Sequence, residues 1–196
     1  MTAPAIRLDA ARLRQAATLV QRFTGLRVEL DVATTPAQVP PRCGKHAALV
    51  AELAGALHRA LPPGRALVQQ VGVALGGGTP TVPDMLVCPS GFLGSDDPFL
   101  RPQAVDIAVE IVLRGATAHR VQHTVDRYAA AGVRALLVVD PRPVTSAATG
   151  TWALHAEPFG GHYWTTRRGT YGDGARTIPL PPPFRGELPL HALPVY

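Results

Sequence analysis

Residues 104 to 141, AVDIAVEIVLRGATAHRVQHTVDRYAAAGVRALLVVDP, read as strand, helix, strand. Val105 to Leu113 is β-branched and apolar, with Asp106 and Glu110 on the alternate face, the period-two pattern of a strand. From about Thr117 to Ala131 the period turns helical, and Val121, Thr124, Val125 and Tyr128 recur at three- and four-residue spacing. Gly132 follows, where a left-handed cap needs a residue without Cβ. Arg134 to Asp140 is then a near-continuous apolar run closed by Pro141, as a strand buried on both faces would be. A unit of this length joins two parallel strands by a crossover. Glu110 is its anomaly: an ionised carboxylate inside such a strand is costly to bury unless it is paired or binds a metal.

Working outward, Ala10 to Phe23 carries the apolar stripe of a first helix, with Asp9 as its N-cap and Gly25 at its end. Leu26 to Val32 alternates as a short strand, and Thr34 to Arg42, with three prolines, reads as an irregular loop. Leu49, Leu53, Leu57 and Leu61 repeat every four residues and predict a helix from Lys45 to Leu61. Ala66 to Leu75 and Thr81 to Cys88 read as a hairpin turning at Gly76-Gly77-Gly78-Thr79. Pro89 to Gln103 has loop composition, Thr151 to His155 and His162 to Arg167 read as short strands, and Pro179 to Pro183 is a connection.

The totals fit one globular domain of 196 residues, 46% hydrophobic and 17% charged. Net charge is +5, carried almost wholly by arginine, with Lys45 the only lysine, so a phosphate-bearing partner is permitted. Cys43 and Cys88 are isolated and read as reduced thiols. No apolar signal core opens the sequence and no membrane-length apolar run occurs, so a cytoplasmic protein without membrane contact is expected.

Taken together, Glu29 in RVEL, His46 before a leucine-rich helix, Pro83-Asp84, Glu110 in VEI, Tyr128, Gly132-Val133 and Asp140-Pro141 fall in one order. In that order they resemble the Uma-type restriction endonucleases of the PD-(D/E)XK nuclease superfamily, from about Arg27 to Pro141 and more loosely beyond. The resemblance implies an α/β, restriction-endonuclease-like fold: a central mixed β-sheet flanked by helices in a single domain, with its core about 26 to 180. It also implies Mg²⁺ (or Mn²⁺) held by Asp84 and Glu110, with the Ile111 carbonyl as a third ligand and Glu29 reaching the metal through water. Hard cations of this kind take oxygen ligands. DNA is the implied substrate and partner; a homodimer is a candidate assembly.

The sequence departs from the family pattern where the catalytic lysine belongs. That family carries its lysine on the helix four residues before the tyrosine, with an aspartate one turn earlier, and these positions hold Thr124 and Arg120 here. Three functions follow: a Mg²⁺-dependent endonuclease acting on DNA with weak or lost activity, an inactive nuclease fold that still binds nucleic acid, or a protein-interaction module. Blander readings stand beside them. Asp84 and Glu110 also read as solvent-facing residues of amphipathic strands, Glu29 as a solvated strand residue, and His46 as a helix-start residue. Tyr128 reads as a core aromatic, and Arg167-Arg168 equally as a phosphate contact or as a charged hairpin tip. His119 and His123 have the i, i+4 spacing of half a zinc site but lack a third ligand.

Overall fold

The structure is a computed structural model that describes residues 44–76, 80–143, 149–172, 177–190 and 193–195, together with six isolated positions nearer the start. Of the expected first helix, Thr18 and Gln21 are helical, and its apolar stripe lies outside the described residues. Strand β1 (Val28–Glu29) pairs antiparallel with β2 (Ala37–Gln38). The segment expected to be irregular therefore contains a two-residue strand, placed between Pro36 and Pro40 where the amides are free to pair.

Helix α1 (Gly44–Arg59) buries Leu49, Leu53 and Leu57, the predicted four-residue repeat. β3 (Arg65–Val68), β5 (Met85–Pro89), β7 (Ile107–Ile111), β8 (Ala135–Asp140), β9 (Gly150–Phe159) and β10 (His162–Tyr171) form one sheet in the order β10-β9-β8-β7-β5-β3. β7 and β8 are parallel and the other four pairings antiparallel, so the sheet is mixed. Helix α2 (Ala118–Ala130) makes the crossover between β7 and β8. Thr117 caps it, its Oγ1 accepting from the Arg120 amide at 3.2 Å, and Gly132 beyond its end takes φ +80°.

Alternation explains the layers. Ile107, Val109 and Ile111 of β7 and Leu137 and Val139 of β8 pack with α1, while Ala108, Val112, Leu136 and Val138 pack with Val125 and Tyr128 of α2. β8 is covered on both sides, which is why its sequence is apolar without alternation. The charged group of Glu110 therefore falls in the α2 layer.

The hairpin expectation needs correction. β3 does pair with β5, but the strand stops at Val68. Gln70 takes φ +58°, which ends the strand, and the chain then forms β4 (Gly72–Val73). β4 pairs in parallel with β6 (Phe99–Leu100), inside the stretch read as a loop. The β9–β10 hairpin is longer than expected and turns at Gly160-Gly161, so Arg167 and Arg168 lie within a strand instead of at its tip. β11 (Thr177–Pro179) and β12 (Glu187–Pro189) close the α1 layer with Ile178 and Leu188.

Gly150, at the start of β9, sits opposite Tyr171, and a Cβ there would fall inside van der Waals distance of the phenol ring. Gly150→Val should cost about 1–3 kcal/mol by overpacking. A lowered midpoint in urea unfolding with the slope preserved would register that loss.

Candidate active site

Asp84 stands at the entrance of β5. The ladder pairs Met85 with Val109, yet the Asp84 amide also donates to the Val109 carbonyl at 3.1 Å. The regular ladder thus begins one residue after Asp84. The Asp84 carboxylate is 3% exposed: its Oδ2 accepts from the Ile111 amide at 2.7 Å, and its Oδ1 lies 3.3 Å from Nε2 of His46. His46 is in the first turn of α1 and 1% exposed. Asp84 is not solvent-facing, so its reading as a surface acid does not hold; His46 is at the helix start as expected, and is buried beside Asp84 as well. The Ile111 backbone reaches Asp84 through its N–H.

On the neighbouring strand, Glu110 is half-buried and its Oε1 accepts from the Tyr128 hydroxyl at 2.7 Å. Tyr128 is buried, as a core aromatic should be, and its hydroxyl also serves the acid. The two carboxylates stand on adjoining strands, each held by a different layer: Asp84 by His46 of α1, Glu110 by Tyr128 of α2. Of Glu29, the described part is the backbone in β1, and its side chain lies outside the described residues.

The helical half of the expected site is on α2. Thr124 lies one turn before Tyr128, and Arg120 one turn before that. Thr124 Oγ1 donates to the Arg120 carbonyl at 3.0 Å, so its hydroxyl is tied to its own helix. Lys45, on the exposed side of α1, donates from Nζ to the Val195 carbonyl at 3.4 Å. His119 and His123 are exposed. Among the described residues, no group of three or more His, Cys, Asp or Glu is placed to hold a metal ion.

Three further groups had no side-chain role in the sequence reading. Asp140, at the end of β8, accepts a forked pair from Arg142, Nε to Oδ1 at 2.8 Å and Nη2 to Oδ2 at 2.6 Å. That hydrogen bonding pushes the arginine's pKa above its ordinary value. Asp106 is buried between Arg65 and Arg134. The i, i+2 spacing of Asp140 and Arg142 around Pro141 was the one local signal available.

His155 of β9 is the third. Its Nδ1 lies 3.0 Å from Thr166 Oγ1, and burial, with Arg168 adding to it, pushes its pKa below the ordinary value. A depressed pKa means that the unfolded chain binds the proton more readily. His155 therefore contributes its full stability above about pH 6.5 and loses it as pH falls through that region toward the folded value. Urea unfolding at pH 7 and pH 5 should show a smaller acid loss for His155→Gln than for the parent.

The sequence profile of the family described as "Uma2: Putative restriction endonuclease" matches residues 13–179. Among solved structures, the fold is similar to a "putative nuclease belonging to DUF820" from Anabaena variabilis. That similarity has a TM-score of 0.54 and 18% identity, over 75% of this chain and 78% of that one, and at this identity it bears on the fold alone. No curated protein matches the chain.

Proposed function

The chain belongs to the Uma2 family of restriction-endonuclease-like proteins, and we propose that it engages DNA through this fold while cleaving it weakly or not at all. One observation carries the reading. Asp84 and Glu110 are each positioned by dedicated donors on adjoining strands, whereas the helical position one turn before Tyr128 holds a threonine bonded to its own backbone. The acids are kept and the lysine is not.

Families of this fold generally use divalent metals, and the donor set here suits a hard cation such as Mg²⁺ or Mn²⁺. Such ions are commonly held by one or two carboxylates together with the substrate's phosphate, which requires no prebuilt protein cage. Asp84 and Glu110 would hold the ion, which would neutralise charge on the phosphate. The chain's own residues prepare the rest. The Ile111 amide fixes one Asp84 oxygen, His46 stands 3.3 Å from the other, and the Tyr128 hydroxyl orients Glu110. Arg120, in the exposed first turn of α2, offers positive charge but never gives up a proton.

The test is supercoiled plasmid incubated with Mg²⁺ or Mn²⁺, comparing the parent with Glu110→Ala. We expect DNA binding that weakens steeply with salt, nicking close to the Glu110→Ala background, and a metal-induced rise in melting temperature that Glu110→Ala reduces. Rapid cleavage dependent on Glu110 would overturn the loss of activity; absent DNA binding would overturn the reading itself. A protein-contact role keeps one observation in its favour, the exposure of Phe159 (77%) and Trp164 (80%) on the β9–β10 hairpin. Self-association or partner capture lost on Trp164→Ser, with no DNA binding, would select it.

A further inference from the structure

Between α2 and the β8–β9–β10 part of the sheet lies a cleft of about 480 Å³, within the range of small-molecule sites. One wall is aliphatic, formed by Val112, Val121, Val125 and Val138. The cleft adjoins the candidate active site, because Val112, the residue after β7 ends, is two positions or about 7 Å beyond Glu110 along the chain. The same helix covers both: Tyr128 reaches Glu110, and Val121 and Val125 line the cleft.

The polar lining favours an anion. Asp140 is the acid in it, and the Arg142 fork matches its charge. Arg168 also lines the cleft and has no carboxylate partner among the described residues. His155 is 6% exposed, yet with Nδ1 beside Thr166 its Nε2 makes no hydrogen bond among the described residues. That nitrogen is open to water or to a ligand as a hydrogen-bond partner. The site therefore combines an aliphatic wall, one open ring nitrogen and one unmatched positive charge.

We propose that this cleft is a nucleotide subsite, taking a nucleobase against the valine wall within reach of His155, with its phosphate at Arg168. This rests on the nucleic-acid reading above and names where one nucleotide beside the scissile region is seated. The occupant is either a free nucleoside monophosphate or the corresponding nucleotide of a strand, which share this chemistry.

The experiment titrates the full chain with thymidine 5′-monophosphate, thymidine, inorganic phosphate and a thymidine tetranucleotide, following calorimetry and the His155 ring resonances. The monophosphate should bind and shift those resonances, with thymidine and phosphate each at least about tenfold weaker. Arg168→Ala, an exposed position whose loss leaves the fold intact, should weaken the monophosphate about tenfold. Tighter binding of the tetranucleotide identifies a strand as the natural occupant; equal or weaker binding identifies the free nucleotide. No binding at about ten millimolar monophosphate, or binding that ignores Arg168→Ala and leaves His155 unmoved, overturns the subsite. The two readings fail separately. DNA binding that persists without any monophosphate binding sinks the subsite alone, and monophosphate binding without DNA binding sinks the nucleic-acid reading alone.

Discussion

Asp84→Ala should be among the most destabilising single changes in this chain, costing about 3 kcal/mol of folding free energy. The carboxylate joins three parts of the fold: the entrance of β5, the Ile111 amide of β7, and His46 in the first turn of α1. Alanine would leave the Ile111 amide without its acceptor and a buried imidazole facing the space it vacates. For a chain of this length the loss corresponds to a fall of about 6–12 °C in melting temperature. Glu110→Ala should cost less, about 1 kcal/mol, because the acid is half-buried whereas Asp84 is fully buried. Asp84→Asn should fall between, since it retains an oxygen for the Ile111 amide. Thermal and urea unfolding of the three variants give the order directly. An Asp84→Ala protein as stable as the parent would show that Asp84 is held there for a ligand and does not tie α1 to the sheet.

That double duty explains what the sequence could and could not reveal. The β7–α2–β8 unit was legible because its signals are local: two alternating faces, a helical period, Gly132 at a left-handed cap and an apolar run buried on both sides. The contacts that define the site are long-range. His46 meets Asp84 from a separate helix, and Tyr128 meets Glu110 across a crossover; no periodicity encodes either distance. The contacts that bury Asp84 come from β7 and α1, so the acid looked like an ordinary residue of an amphipathic strand. The early break in the 66–75 strand had no cue either, because Gln70 is not a residue that announces a left-handed conformation. His155 looked like the end of a short strand because the cleft it lines is assembled from three strands and a helix.

The largest gain in activity should come from the double change Arg120→Asp and Thr124→Lys. These are the positions where the family pattern has an aspartate and a lysine, and in this structure they lie on α2, one and two turns before the tyrosine that holds Glu110. The helix tolerates both changes for local reasons. Residue 120 is the third of the helix, in the turn where a negative charge favours the dipole, and its amide remains capped by Thr117. At residue 124 a lysine surrenders only the hydroxyl bond to the Arg120 carbonyl and has the higher helical propensity. Neither position belongs to the buried residues of α2, so no core contact is lost. A well-placed electrostatic stabiliser is typically worth about a hundred- to a thousandfold in rate. With Mg²⁺ or Mn²⁺ present, the double variant should therefore nick supercoiled plasmid about a hundredfold faster than the parent, and Glu110→Ala in that background should abolish the gain. Thr124→Lys alone should recover part of it, because Arg120 would still set a like charge one turn away. If the double variant folds, binds metal and cleaves no faster, then what limits the site is the anchoring of Asp84 and Glu110 to separate layers. Releasing Glu110 with Tyr128→Phe is then the change that should restore cleavage.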